Sequence, residues 1–316
     1  MNQVQQRHLQ LPPVIHMREK RREATIERIV EQAMHLLETE GFEALTIQRL
    51  AKELGYAVGA LYRYFRSKDA LLVALLHRVM DRMGEDMAAG LEWVDNERLQ
   101  RLTSVGEPAD TPLTESEGLL RLIVVSNVYV GFAQGRPTEY GLISTLIGDP
   151  REFLATEAAA PIFPALVRLQ LMLTAVINDA VQAGALAEGD ARERGVILWS
   201  AMQGVLQLRK LGRFGVAGVE LARLVPIALR TLLLGWGATR ELVDELTPRA
   251  VEISSALNHQ RAQRRAQELA EHEARLAESE PESESNPDPV PNPEPEASTP
   301  DLPQADESDE VNHGTT

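Results

Sequence analysis

The side chains that could do chemistry in this sequence are basic and aromatic groups near the N-terminus. Tyr62, Arg63, Tyr64 and Lys68 all fall within one short stretch. Tyrosine hydroxyls can bond phosphates and their rings can contact the methyl group of thymine, whereas Arg and Lys neutralise phosphates. This combination is typical of a surface that binds nucleic acid.

A second group of basic residues lies further upstream. Arg18, Lys20, Arg21 and Arg22 come just before the first segment with helical apolar periodicity. Cations at a helix start oppose the helix dipole, which favours a phosphate or minor-groove role for the cluster. A solvated run of charge is the alternative interpretation.

Residues for catalysis or metal binding do not form a set. The chain has no Cys, which excludes disulfides, thiol catalysis and Cys-ligated zinc. Its seven His are scattered without metal-ligand spacing, and neither glycine-rich phosphate loops nor Gly-x-Ser-x-Gly elbows occur. The sequence therefore predicts a protein that is not an enzyme and that binds no metal or cofactor.

The negative charge is concentrated at the C-terminal end. The chain of 316 residues has a formal net charge of -15. The segment from Glu271 to Thr316 holds fourteen acidic residues against one Arg, whereas Met1 to Arg78 holds twelve basic against nine acidic. The part expected to contact DNA is thus mildly basic despite the acidic total.

Two short helices joined by a glycine are predicted to position the basic and aromatic groups. Ile47, Leu50, Ala51 and Leu54 recur at helical spacing, and Gly55 suits the tight turn that follows them. This is the layout of a helix-turn-helix, whose second helix enters the major groove. A helical hairpin buried in a bundle is the alternative.

Flanking signals complete a small helical domain. A helix with an apolar face from Ile26 to Leu37 is predicted to stop at Gly41 in the left-handed conformation. Thr46 is predicted to cap the first short helix, and Ser67 to cap a fourth helix that runs to about Leu91.

These residues resemble the DNA-binding domain of the TetR family of bacterial transcriptional regulators. The shared pattern is Thr46-Ile47, Leu50-Ala51, Gly55, Leu61-Tyr62, Tyr64-Phe65, Lys68 and Leu71-Leu72, within a match from about Arg18 to Met80. The chain departs from the family at Ala57, where a Ser or Thr cap is usual. The DNA-contacting residues that the motif and the resemblance together imply are Arg18, Lys20, Arg21, Arg22, Thr46, Ala57, Val58, Gly59, Ala60, Tyr62, Arg63, Tyr64 and Lys68.

The predicted fold class is all-α: an N-terminal three-helix helix-turn-helix DNA-binding domain followed by a helical-bundle regulatory and dimerisation domain. An irregular stretch is predicted at 92–118, and Asp190 is predicted to cap a later helix. Neither a signal peptide nor a membrane span is predicted, and a cytoplasmic location is expected. The predicted segments are a disordered 1–17, the DNA-binding 18–66, the ligand-binding and dimerisation 67–248, a polar helical extension 249–278 and a disordered acidic Pro/Glu/Ser-rich tail 279–316.

The last two major helices are apolar over most of their circumference, so each needs two packing partners. The resemblance implies that two C-terminal helices from each protomer form a four-helix interface in a homodimer. Burial of both helices in a monomer is the alternative. The predicted interface residues are Leu198, Val205, Leu208, Leu221, Val225, Leu229 and Leu232.

The resemblance also implies a small-molecule effector that binds in the helical domain and releases the DNA. The candidate side chains are mostly apolar and favour a hydrophobic ligand, although each is also explained as ordinary core. The candidates are Asn127, Tyr129, Phe132, Tyr140, Phe163, Leu173, Ile177, Trp199, Met202 and Gln203, with Asn127 and Gln203 as polar anchors.

Two functions remain open from the sequence. The leading one is a dimeric repressor that binds a palindromic double-stranded operator. The other is a helical protein-interaction module in which DNA binding is weak or lost and the acidic tail recruits a partner. The almost non-polar run Val58-Gly59-Ala60 favours this second hypothesis.

Overall fold

Helices form all the regular structure in the residues that the computed structural model describes, which are 13–148, 160–208 and 221–279. Within these ranges the all-α prediction is confirmed. The chain up to residue 12 and the tail from residue 280 lie outside them, so disorder there stays a prediction. Residues 13–17 and Ser279, which were also predicted to be disordered, lie in helices. The helices are α1 Pro13–Glu40, α2 Ile47–Glu53, α3 Val58–Tyr62, α4 Lys68–Val105, α5 Glu115–Gly135, α6 Pro137–Gly148, α7 Phe163–Gln182, α8 Ala191–Leu208, α9 Leu221–Gly235 and α10 Arg240–Ser279, with short 3-10 turns at Phe42–Ala44 and Ala160–Ile162.

Helix α1 begins earlier than expected. It starts at Pro13. Proline is tolerated there because the backbone N–H groups of the first turn have no partner within the helix, so the N–H that proline lacks is not needed. The basic residues Lys20, Arg21 and Arg22 consequently lie exposed inside α1 rather than ahead of it, so the argument from the helix dipole does not apply. Gly41 ends the region with φ 86° and ψ -179°, a positive φ with extended ψ and not the left-handed helical conformation.

The helix-turn-helix forms as predicted. The Oγ1 of Thr46 accepts a hydrogen bond from the Arg49 backbone N–H at 3.1 Å and so caps α2. Gly55 adopts φ 67°, which a side chain would disfavour, and turns the chain from α2 towards α3. Leu61 is fully buried and fixes α3 against the core.

Helix α4 is longer than predicted. Ser67 caps it, with its Oγ accepting from the Ala70 N–H at 3.1 Å, and the helix runs for 38 residues to Val105 instead of ending near Leu91. Val94 and Leu102 keep its apolar face buried, so packing carries the helix through the stretch expected to be irregular. The loop is therefore 106–114.

The later helices pack in sequence: α4 on α5, α5 on α7, α7 on α8 and α8 on α9. A Cβ added to Gly118 of α5 would lie 2.9 Å from the Cβ of Ala183, so the glycine permits the close approach of α5 and α7. Asp190 caps α8 as predicted, with its Oδ1 accepting backbone N–H bonds from Arg192 at 2.8 Å and Glu193 at 3.1 Å.

Two segments are long and apolar enough to cross a membrane by length and composition alone, namely Glu115–Gly135 and Ala160–Gln182. The first is mostly buried in the protein core, as core helices of soluble proteins also are. The second is only 28% buried because Phe163, Val167 and Leu171 form an exposed stripe along α7.

Helix α10 packs along α4 in its first part. The chain divides into two units, Met1–Arg265 and Ala266–Thr316, so only the part up to Arg265 belongs to the unit that contains α4. There Leu257 packs against Gly90, and the Nε of Arg261 lies 3.0 Å from the Oδ1 of Asp86. The helix includes Pro248 and begins before the predicted polar extension does.

Candidate DNA-binding surface and ligand cavity

The surface of α3 is apolar at its N-terminal end. Ala57 occupies the N-cap position without a side-chain hydrogen bond, and Val58 and Gly59 are exposed beside it. Tyr62, one turn further on, is 45% exposed. Ala60 is half-buried, so it contributes less to this face than the sequence predicts.

Polar and basic groups surround this apolar end. Arg63 is exposed, and Tyr64 is half-buried against the core. The Nζ of Lys68 lies 4.8 Å from the centroid of the Phe42 ring, a cation–π contact that fixes the ammonium at the start of α4. Thr46 is half-buried and its Oγ1 serves the cap of α2. Arg18 lies on α1, but its side chain is outside the described part.

A cavity of about 320 Å³ lies between α4, α5, α6, α7 and α8. Four of the candidate pocket residues line it, namely Tyr129, Leu173, Trp199 and Met202. None of the side chains lining it is ionisable at neutral pH. The lining residues that the sequence analysis missed are Met83, Met87, Val125, Ser126, Ile143, Leu166, Val167, Leu169, Gln170 and Val196.

A buried polar cluster lies at the Tyr129 side of the cavity. The hydroxyls of Tyr129 and Tyr140 both donate to the Oε1 of Gln203 at 2.6 Å. Burial raises the pKa of the Tyr129 hydroxyl, with a smaller contribution from Tyr140, so the phenol stays neutral. The buried Nδ2 of Asn127 and Nε2 of Gln203 have no hydrogen-bond partner among the described residues.

The remaining pocket candidates lie elsewhere. Phe163 is 56% exposed at the start of α7 because its side chain points away from the core, so it does not line the cavity. Phe132 and Ile177 are buried core residues. Tyr140 does not line the cavity, but its hydroxyl donates to Gln203 and its ring contacts that of Tyr129 edge to face, with the centroids 6.3 Å apart. The sequence contains one signal for the missed lining residues: Met83 and Met87 lie four residues apart on α4, and methionine is common at adaptable binding surfaces.

The structure corrects the predicted dimer face. Leu198, Val225 and Leu229 point into the core of their own protomer, at 0%, 6% and 6% exposure, because α8 and α9 pack on each other. They cannot present side chains to a partner. Val205 and Leu232 are half-buried, Leu208 is exposed, and the side chain of Leu221 lies outside the described part.

A different set of residues faces outward from α8 and α9. Ile197 and Leu208 are exposed, and Ala201 and Gly204 lie between them at helical spacing. A Cβ added to Gly204 would meet nothing within 4 Å. Ile227, at 52% exposure, lies on the outer side of α9. The outward side of α8 is thus apolar with a small residue at its middle, and α9 exposes a further large apolar side chain.

Comparisons with known proteins agree with this architecture. Residues 29–75 match the family described as bacterial regulatory proteins, tetR family. Residues 122–232 match the family described as tetracyclin repressor-like, C-terminal domain. The two matches fall on the helix-turn-helix and on the helices that surround the cavity.

Curated relatives match the N-terminal region. The HTH-type transcriptional repressor DrrR1 of Streptomyces coeruleorubidus is 44% identical over 55 residues, covering 17% of this chain and 20% of that protein. The nucleoid occlusion factor SlmA of Haemophilus ducreyi is 40% identical over 68 residues, covering 21% of this chain and 34% of that protein. The chain thus spans a fifth to a third of the length of these relatives.

A solved structure of a Mesorhizobium loti protein assigned to the TetR family has a TM-score of 0.50 and 11% identity, over 69% of this chain and 99% of that one. At this identity the likeness supports the fold alone. The helix-turn-helix and the helical domain with its cavity define a DNA-binding transcriptional regulator. The chain belongs to the TetR family.

Proposed function

We propose that the protein is a cytoplasmic, homodimeric repressor that binds a palindromic operator and is released from it by a small apolar ligand. In this proposal residues 18–66 contact the DNA and residues 67–248 hold the ligand and the dimer interface. The polar extension 249–278 follows, and the acidic tail 279–316 acts as a spacer. The expected partners are double-stranded DNA, the effector and a second copy of the chain.

One observation carries the proposal: a single helix connects the DNA-binding surface to the cavity. Helix α4 begins with Lys68 beside the helix-turn-helix, and the same helix supplies Met83 and Met87 to the cavity wall. If α4 can adopt two placements in the protein, a ligand that binds one of them more tightly raises the population of that placement. The affinity for DNA then changes by the coupling free energy between the ligand site and the DNA site.

The cavity wall supports an uncharged ligand. A charged molecule would lose its hydration against walls with no ionisable side chain, at a cost of several kcal/mol. Tyr129 lines the cavity, and its hydroxyl donates to Gln203, whose buried Nε2 has no hydrogen-bond partner among the described residues. An apolar molecule with one hydrogen-bond acceptor fits these groups.

The outward surface of α8 and α9 supports a two-fold dimer. Ile197, Leu208 and Ile227 are large apolar side chains that stay about half exposed beside the rest of the described chain. Gly204 lies between Ile197 and Leu208 and would let the backbone of a second α8 come close. A symmetric dimer places two recognition helices on two half-sites, which is what a palindrome requires.

Selection of bound fragments from the source genome with the full-length protein tests the proposal. We expect a palindromic site whose affinity falls when neutral apolar compounds are added. Val196→Trp, which narrows the cavity, should keep DNA affinity and weaken this response. Val251→Trp, at a similarly exposed site away from the cavity, is the matched control. If no sequence is enriched, a protein-interaction module is the better explanation.

A further inference from the structure

The recognition helix presents an unusual surface for reading DNA. In a helix-turn-helix, the N-terminal residues of the second helix contact base edges. Here those residues are Ala57, Val58 and Gly59, all exposed, and none has a polar side-chain atom. Hydrogen-bond readout of guanine, adenine or cytosine by these three side chains is therefore impossible, so their contact with base edges has to be apolar. The exposed Tyr62 supplies a polar side-chain atom only at the other end of α3.

Gly59 is required neither by its backbone conformation nor by a close contact among the described residues. Its φ is not positive, and a Cβ added to it would meet nothing within 4 Å. Glycine inside a helix is less favourable than any residue except proline, and α3 is only five residues long. The missing side chain therefore makes space for something outside the chain, on the face that the DNA approaches.

The surroundings of this apolar face fit the backbone of a duplex. Lys52, Arg63 and Arg66 are exposed around it, and Lys68 is held against Phe42 at the start of α4. This arrangement, with cations around an apolar centre, is complementary to a duplex, in which phosphates flank the groove. Phosphate contacts position the helix without reading sequence, so the central apolar residues are left to discriminate bases.

We propose that α3 reads the C5-methyl groups of thymine in the operator. The thymine methyl is the one apolar group that a base edge presents in the major groove. Val58 would pack against one methyl, and the open position at Gly59 would admit another close to the helix backbone. This inference rests on operator binding as proposed above and adds the base identity at the positions that α3 faces.

Replacement of single thymines by deoxyuridine in the selected operator tests this assignment, because it removes only the methyl group. We expect the affinity to fall about fourfold at each thymine that faces α3, because that is the change expected when one buried methyl-sized apolar group is removed from the interface. Thymines elsewhere in the fragment should show no change. A site that has cytosine instead of thymine at these positions should bind weakly, and methylation of that cytosine at C5 should restore part of the affinity.

Two variants assign the effect to α3. In the Val58→Ala variant, deoxyuridine in place of the thymine opposite residue 58 should reduce the affinity less than in the wild type, because the smaller alanine already makes less contact with the methyl group. Gly59→Ala should keep or raise the Tm, because its Cβ is free in the protomer, and should lower affinity for the thymine-containing site. Full affinity for the operator with deoxyuridine at every position would overturn the inference while leaving the repressor function intact. Failure to bind any DNA would overturn both.

Discussion

Arg261 and Asp86 form the contact that ties the first part of α10 to α4: the Arg261 Nε lies 3.0 Å from the Asp86 Oδ1, and its terminal nitrogen donates to the Asp86 carbonyl at 2.6 Å. Arg136 approaches the other carboxylate oxygen at 3.4 Å. Burial raises the pKa of Asp86, and the two guanidinium groups oppose that rise. One carboxylate thus joins α4, α10 and the junction between α5 and α6, where Arg136 lies.

Removing that carboxylate should destabilise the protein strongly. Asp86→Ala leaves two mostly buried guanidinium groups without their counter-charge, and we expect a loss of about 3 kcal/mol in the free energy of unfolding. The matched control is Asp81→Ala, whose partner Arg168 lies at 2.8 Å but where both side chains are at least half exposed. That change should cost under about 1 kcal/mol. Equal losses in denaturant titrations would contradict a structural role for Asp86.

Lys68 should act on phosphate rather than on bases. Lys68→Ala is expected to weaken binding to specific and unrelated DNA alike, and to reduce the salt slope by about one unit. Phe42→Leu is the control, because it removes the ring that holds the ammonium but keeps the charge. It should leave the slope unchanged. An unaltered slope in Lys68→Ala would remove this residue from the phosphate-contacting set.

The outward face of α9 should be sensitive to charge. Ile227→Glu would bury two unpaired carboxylates in a two-fold interface, so we expect dimerisation to weaken by at least about 100-fold. Val251→Glu changes a similarly exposed valine on α10 and should leave the dimer intact. Sedimentation at micromolar concentration measures both. Monomeric wild-type protein would show that this face pairs with nothing.

Stability should fall in acid through the capping box of α5, in which Glu117 accepts a hydrogen bond from the Thr114 backbone N–H at 2.9 Å and the Thr114 hydroxyl accepts one from the Glu117 N–H at 3.3 Å. Burial alone would raise the pKa of Glu117, but hydrogen bonds from the Thr114 backbone and from Arg101 outweigh it and lower the pKa. A carboxylate with a lowered folded-state pKa stabilises the fold above its unfolded pKa, near 4.3, and that contribution is lost as the pH falls further. Glu117→Gln keeps the cap acceptor but removes the charge. We expect it to lose about 1–2 kcal/mol at neutral pH and to show less loss than wild type on acidification, in melts from pH 7 to 3.

Local chemistry in the sequence was sufficient for the turns and caps. Thr46, Gly55, Ser67 and Asp190 each act where the sequence places them, because capping and positive φ depend on neighbouring residues only. The end of α4 was not predictable in the same way. Gly106 ends α4 with φ 76° and is a local stop signal, but only the long-range burial of Leu102 shows that the helix continues past Leu91 to reach it.

Assignment of faces was the weaker part of the sequence reasoning. An apolar helix does not reveal which of its apolar sides turns inward, so Leu198, Val225 and Leu229 were expected at the dimer face although they pack inside the protomer. The cavity shows the same difficulty. Met83 and Met87 belong to a helix assigned to linking the domains, and only the three-dimensional packing brings them to the cavity wall.

The unbroken course of α4 has a mechanical consequence. From Met83 to Lys68 the helix covers about 22 Å at 1.5 Å per residue. A tilt of about 10° about the cavity end would therefore carry Lys68 sideways by about 4 Å, further than the length of a hydrogen bond. A small change in the tilt of α4 at the cavity therefore produces a much larger sideways movement of Lys68 at the other end of the helix. In the proposed dimer, the spacing between half-sites that the protein accepts would then depend on how far this one helix can tilt.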